Sequence, residues 1–441
     1  QASEVIAKVN AIPSDTYEAL PADQQGKLTM LGKEIDEAYM KTLETLLLNP
    51  SLISEAEPPK IVFTNLHGVG KHIVVPILER LGMPCETVAA QDVQDGAFPT
   101  VDSPNPENAP ALQMALDQAD ANGADIVIGT DPDCDRMGVA VRGQDGNLHL
   151  LSGNQTGSLM TYYRVKTLVD EGVINDSNRE RAVVIKTFVT SQLQDAICEH
   201  YGISCVNTLT GFKFIAAKMK KYQEAIPKDL YDDYDSLPAE KSRALRLEHS
   251  KYYVFGSEES YGYLGSDAIR DKDGNGAVVM FAELAAYAKS LGKTLIELLD
   301  DVYKMFGYFL EVNKSKFFEG AEGAAKIQAL AKSYADNPPT EVDGVAVKSV
   351  RDFANDTIRD EEGDVIPHEK MLNVELADGR SFAVRPSGTE PKIKYYLFGN
   401  RRPESGSVLS DEQLAEAKAE VGASIDSLWA ALEADIDARL A

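Results

Sequence analysis

Cysteine is scarce in this chain. Four occur in 441 residues (Cys85, Cys134, Cys198 and Cys205), and they form neither a Cys-x-x-Cys pair nor a zinc spacing. Free thiols are therefore the expectation, and with them a cytoplasmic protein. Basic residues are outnumbered, 44 Lys and Arg against 70 Asp and Glu, for a net charge of −26. No basic stripe offsets this, which argues against a nucleic-acid partner. It also means that an anionic ligand needs a locally positive pocket. Nothing reaches 18 apolar residues in a row, so no membrane partner is expected, and Gln1 opens no signal-peptide pattern. The first residue is not Met, so Gln1 is not expected to be the natural start. What is present is ordinary for a globular protein, 44% hydrophobic and 26% charged. The length suggests roughly two to four domains.

The stretch with most chemistry is Asp131-Pro132-Asp133-Cys134-Asp135-Arg136, which follows the apolar run Ala124–Ile128. A short apolar run of this kind reads as a buried strand. Three carboxylates at alternate positions past a strand end repel one another unless a cation sits among them. Carboxylates with a phosphate oxygen are a common way to hold Mg²⁺, and Arg136 adds a planar fork suited to phosphate. An EF-hand is excluded: its sixth position here is Arg136 and its twelfth is Arg142. The half-match Asp271–Gly276 fails as well, because its twelfth position is Ala282.

In chain order, residues 1–50 read as helical, with apolar spacing over 35–47 and a stop at Asn49-Pro50. Ile61–Thr64 is a strand, followed by Leu66-His67-Gly68-Val69-Gly70-Lys71, whose glycines do not fit a nucleotide P-loop. They make a turn into a helix over 73–81 whose start is open to an anion. His67 reads as a structural turn residue. Strands are expected at 85–93, 138–142, 182–187, 203–206 and 252–255, and helices at 109–121, 158–169, 191–200, 216–224, 277–291 and 294–306. Residues 225–250 are charged and poorly periodic and read as an exposed insertion. After Gly307 the pattern becomes strand-rich with two helices, 323–335 and 411–440. The fold class is thus α/β: successive mixed-sheet α/β domains and then a smaller α+β domain. The expected divisions are 1–50 as a helical linker, 51–150, 151–307 and 308–441. In the last, Arg385-Pro386-Ser387-Gly388-Thr389 offers an arginine, two hydroxyls and free amides, a plausible anion nest.

Taken together, these loops resemble the α-D-phosphohexomutase family, in particular its bacterial phosphoglucomutase branch. Asp131–Arg136 looks like that family's magnesium loop, Thr210-Gly211-Phe212-Lys213 and Ser257-Glu258-Glu259-Ser260-Tyr261-Gly262 like its sugar loops, and Arg385–Thr389 like its phosphate loop. The family's first domain carries a phosphorylated serine in a Thr-Ala-Ser-His-Asn-Pro loop, and no such loop stands in this sequence. The chain therefore resembles domains two to four, with the N-terminal domain as an implied partner.

That resemblance implies interconversion of hexose 1-phosphate and hexose 6-phosphate, with glucose as the sugar, through a phosphoserine and a bisphosphate. Glucose 1,6-bisphosphate is then activator and intermediate, and Mg²⁺ the cofactor, held by Asp131, Asp133 and Asp135. Arg136, Lys213 and Lys272 become catalytic candidates, Lys272 as acid or base with a pKa lowered by neighbouring cations. Thr210, Gly211, Phe212, Glu258 and Ser260 become sugar-binding, and Arg385, Ser387, Gly388 and Thr389 phosphate-binding. Without the serine the chain is expected to be inactive alone. The alternatives are a non-catalytic phosphosugar-binding fragment, or a phosphomannomutase or phosphopentomutase of the same family.

Overall fold

The structure is a computed structural model that describes residues 2–12, 19–55, 57–387 and 391–440. The chain divides into two compact units, Gln1–Tyr39 and Met40–Ala441. The first holds the helix Ala2–Asn10 and several exposed apolar side chains, among them Val5, Ile6, Val9 and Leu28. The helix Lys33–Glu44 runs from the first unit into the second.

The second unit is built on three sheets. The first has the order β2-β1-β3-β4-β5, with β1 Ile61–Thr64, β2 Cys85–Thr87, β3 Ile126–Thr130, β4 Met137–Arg142 and β5 Leu148–Leu151. Strand β1 runs parallel to β2 and β3, whereas β4 is antiparallel to both β3 and β5. Strands β1 and β3 are buried on both faces, which explains their unbroken apolar character.

The second sheet, β7-β6-β8-β9, is formed by β6 Ala182–Thr187, β7 Ser204–Thr208, β8 Tyr252–Ser257 and β9 Tyr263–Leu264. It repeats the plan of the first: β6 is parallel to β7 and β8, and β8 turns back antiparallel into β9. The third sheet is wholly antiparallel, β10-β15-β14-β13-β12-β11, over β10 Tyr308–Phe317, β11 Glu341–Val342, β12 Val345–Asp352, β13 Leu372–Leu376, β14 Ser381–Pro386 and β15 Lys392–Arg401. The helices Gly320–Asp336 and Asp411–Leu440 supply Leu330, Tyr334, Leu428 and Leu432 to its core. The architecture is the α/β succession with a C-terminal α+β domain that the sequence suggests.

Three expectations are corrected. The strand expected over 85–93 stops at Thr87, because the chain turns to place Gln91 beneath β1: Thr64 Oγ1 donates to Gln91 Oε1 at 2.6 Å and His67 N–H to the Gln91 carbonyl at 3.1 Å. The strand expected over 124–128 lies two residues later, ending at Thr130. Residues 225–250 are not a loose insertion. They contain the helix Ala239–His249, and Arg246 is 1% exposed, donating to the Tyr234 hydroxyl at 2.6 Å and pairing with Asp267. A charged side chain buried with two partners leaves no apolar periodicity for a sequence reading to find.

Candidate functional site

The acidic loop is the turn of the β3–β4 hairpin, closed by the Thr130–Met137 pair. Asp131 folds it from within: its Oδ1 accepts the N–H groups of Asp135 and Arg136, both at 3.0 Å. Cys134 sits at φ +57°, unusual for a non-glycine residue, and is buried. The glycine turn after β1 supports this conformation. A Cβ on Gly68 would lie 2.2 Å from Pro132 Cα, one on Gly70 would lie 3.1 Å from Cys134 Sγ, and Val69 N–H donates to the Pro132 carbonyl at 2.9 Å. The glycines expected to open a helix start to an anion instead let the turn seat the acidic loop. His67 is structural, with its ring nitrogens 2.9 Å from the Val93 carbonyl and 2.8 Å from Thr100 Oγ1.

One oxygen from each of Asp131, Asp133 and Asp135 lies within 4.8 Å of the others. Burial pushes the Asp131 carboxyl up to about 7, with the charges of Asp135 and Asp133 adding and the Arg136 amide opposing. Asp135 Oδ1 is buried without a hydrogen-bond donor. A crowded carboxylate set with an unsatisfied oxygen is the donor chemistry that suits a divalent ion such as Mg²⁺.

Two side-chain cations lean on this loop. The Arg136 guanidinium is 3.1 Å from Glu107 and 3.6 Å from both Asp131 and Asp135. The Lys272 ammonium is 2.7 Å from Asp135 and 3.5 Å from Asp271. Among the protein's own groups, burial works to lower the Lys272 pKa, but the carboxylates of Asp135, Asp271 and Glu258 outweigh burial and hold it above the usual lysine value. Asp273 caps the helix Gly274–Ser290 by accepting from Asn275 N–H at 3.1 Å, which accounts for the calcium-like spelling of 271–276.

The Lys272 stem reaches the two loops expected to bind sugar. A Cβ on Gly262 would meet its Cδ at 2.9 Å and the Phe212 ring at 3.3 Å. Glu258 to Gly262 forms the turn of the β8–β9 hairpin, closed by Glu258 N–H to the Gly262 carbonyl at 2.9 Å. Glu258 is buried and its Oε1 accepts the Gly211 N–H at 2.5 Å, tying the two loops expected to bind sugar to each other. Gly211 has φ +115°, open to glycine and strained for others. Phe212 anchors its loop in the core, whereas Thr210 and Ser260 are half-buried. Burial and the Glu258 charge push the Glu259 carboxyl up to about 7. Lys213 is exposed with its ammonium 4.9 Å from the centre of the Phe214 ring, and among the described residues it makes no ion pair with the loops 131–136 and 257–262.

Arg385 is the penultimate residue of β14, its Nε 3.4 Å from Glu369. In the ladder it stands directly opposite Lys394. Like charges placed so repel, and an anion between them relieves that. Tyr396 packs in one apolar cluster with Val189 and Leu209, so the third sheet meets the chain just before Thr210. Ser387 N–H donates to the Lys392 carbonyl at 2.9 Å and closes the loop base. Gly388 and Thr389 lie outside the described residues. Sequence reasoning missed Glu107, Lys394 and Tyr396. The last two share a strand face at i and i+2, which was a usable signal; Glu107 sits in a turn-rich segment that gave none.

Three family models match in succession: phosphoglucomutase/phosphomannomutase alpha/beta/alpha domain II over residues 37–146, domain III over 152–306, and the C-terminal domain over 318–405. A phosphoglucomutase of Staphylococcus epidermidis is 32% identical over 385 residues, covering 86% of this chain and 64% of that protein. One from Staphylococcus aureus (strain USA300) is 32% identical over 371 residues, covering 83% and 60%. The chain thus spans less than two thirds of the length of these relatives. Among solved structures, the open form of pp63/parafusin, a phosphoglucomutase from Paramecium, superposes with a TM-score of 0.55 at 17% identity, over 89% of this chain and 62% of that one. Fold, loop arrangement and consecutive domain matches agree: the chain belongs to the phosphoglucomutase/phosphomannomutase family.

Proposed function

We propose that this chain carries the metal, sugar and phosphate sites of an intramolecular phosphotransferase that interconverts glucose 1-phosphate and glucose 6-phosphate in the cytoplasm. The supporting observation is the meeting of three loops around Lys272. Its ammonium is 2.7 Å from the acidic loop and its stem packs on the glycine of the sugar loop, which Glu258 ties to Gly211. We assign the sites to residues 51–150, 151–307 and 308–441 in turn, with residues 1–50 as the lead-in.

In this reading Asp131, Asp133 and Asp135 hold Mg²⁺, which supplies charge stabilisation to a phosphoryl group when bound. Arg136 turns its fork to the same group. Glu258 and Ser260 receive sugar hydroxyls, with Thr210, Gly211 and Phe212 forming the facing wall. Arg385, Lys394 and the residues Ser387, Gly388 and Thr389 grip the phosphate that is not reacting, which fixes the ligand's orientation. Lys272, charged at rest, gives a proton to a hydroxyl oxygen as its bond to phosphorus breaks and takes one back in the reverse direction.

A phosphoryl group cannot be stored between half-reactions without a nucleophile, and the Thr-Ala-Ser-His-Asn-Pro loop is not in this sequence. The chain alone therefore binds glucose phosphates without turnover. Supplying the N-terminal domain in trans, with glucose 1,6-bisphosphate as activator, restores conversion. The test is glucose 1-phosphate conversion by highly purified chain with and without that domain. Turnover by the chain alone, with labelled phosphate on one of its own residues, would refute the division of labour. Failure to bind any sugar phosphate would refute the site.

A further inference from the structure

The third sheet sends one long excursion, residues 353–371, between β12 and β13, and its tip reaches the helix Phe212–Glu224. Asp360 shapes the tip, its Oδ1 accepting the N–H groups of Glu362 at 2.9 Å and Asp364 at 3.0 Å. Three carboxylates are thereby turned toward one point, and Lys218 fills it. The ammonium pairs with Asp360, with Glu362 at 2.9 Å and with Asp364 at 2.5 Å. The Lys218 and Asp360 side chains are only 9% and 3% exposed. Beside them Glu361 accepts the Asn207 N–H at 2.8 Å and the Asn207 side-chain amide at 2.7 Å. Nearby, an apolar seam joins Val189 and Leu209 on one side to Phe353, Ile366 and Tyr396 on the other.

Buried ion groups of this kind are poor value as stability, because desolvation offsets the attraction; their best-attested use is to fix geometry. The geometry at stake is plain. The Lys218 helix begins at Phe212, directly after Gly211, and Tyr396 of the seam stands beside Arg385. The covalent connection between the two sheets' domains passes through Gly307 at φ +109°, which alone fixes no distance.

We propose that Lys218 is a positioning residue: with Asp360, Glu362 and Asp364 it clasps the C-terminal domain to the sugar domain, so that the sugar loops and Arg385 engage opposite ends of one sugar phosphate. The proposal rests on the reading of those loops given above. Lys218 lies outside that site and acts only through the position of the two domains.

The test is calorimetric titration of the full chain with glucose 1-phosphate, which needs both loops, and with inorganic phosphate, which needs only the C-terminal loop. Lys218→Met should lose about tenfold or more in glucose 1-phosphate affinity, within the usual range of site-to-site coupling, while its phosphate affinity stays as in the parent. Lys218→Arg should restore most of the loss. A folded Lys218→Met chain that binds both ligands like the parent, or loses both in proportion, overturns the proposal. If Lys218→Met does not fold, Glu362→Gln keeps two of the three pairs and should show the same split in smaller measure; no split overturns it. A parent chain that binds no glucose 1-phosphate refutes the functional reading instead. The clasp is then decided by hydrogen exchange, which in Lys218→Met should quicken together at 209–214 and 353–366; unchanged exchange overturns it.

Discussion

Glu283 gives a pH-dependent prediction worked from geometry. It lies in the helix Gly274–Ser290, 0% exposed, and its Oε1 accepts the N–H groups of Leu48 at 2.8 Å and Asn49 at 2.6 Å. It thus pins the segment leading into the first sheet, which Arg164 also holds by donating to the Leu46 carbonyl at 2.8 Å. Burial raises the Glu283 carboxyl from 4.5 to about 6, against the opposing pull of the two amides and Arg164. Because the folded pKa exceeds the unfolded one, the native state holds more protons between these values, and stability falls as pH rises through that window. The shift corresponds to about 2 kcal/mol, fully expressed above pH 6 or so. Glu283→Gln keeps an oxygen for both amides and carries no charge. It should therefore be more stable than the parent by about 2 kcal/mol near pH 8, the gap closing below pH 4.5 or so. Glu283→Ala strands two buried N–H groups and leaves a void, and should cost about 2–5 kcal/mol at either pH. Parallel urea titrations at about pH 4 and about pH 8 read both differences, because other titrating groups cancel between parent and variant. A Gln variant less stable than the parent at the higher pH would refute the reasoning, by showing that the carboxylate is held as an ion rather than against its ionisation.

Two further outcomes concern the site. Mg²⁺ should bind the chain weakly, and Asp133→Asn should lower the affinity about tenfold or more; a calorimetric titration in which the triple variant Asp131→Asn, Asp133→Asn, Asp135→Asn matches the parent places the metal elsewhere. Arg385→Ala should weaken glucose 1-phosphate binding by about 2–5 kcal/mol if the pair is desolvated, while the melting temperature barely moves, since Arg385 is partly exposed with Glu369 a distant partner at 3.4 Å. A large fall in melting temperature with unchanged binding would make Arg385 structural.

The acidic loop was legible because its meaning is local: alternating carboxylates just after an apolar run suit a cation whatever surrounds them. The sheet class was legible for the same reason, since β1, β3 and β6 are short, apolar and well bounded. What escaped depends on distant partners. Nothing in the spelling of 271–273 says that Lys272 will face Asp135, and its charge state follows from that encounter. The glycines at 68 and 70 showed a turn but not that its companion is Pro132 and Cys134, more than 60 residues on. Arg246 disguised a packed helix as an insertion, because a buried guanidinium satisfied by Tyr234 and Asp267 breaks the apolar pattern that marks a core helix.

The shared plan of β2-β1-β3-β4 and β7-β6-β8-β9 has a consequence for how such a protein can change. In each sheet the third strand in that order turns back through a hairpin, and the tips are Asp131–Arg136 in one and Glu258–Gly262 in the other. On the reading proposed above, one address carries two trades, cation holding and hydroxyl reading, on the same ladder. A tip can therefore drift in sequence to suit another sugar while its twin keeps the charge chemistry intact. If the proposed roles hold, the second tip is the freer of the two to vary, because the first leans on Gly68 and Gly70, which would have to change with it.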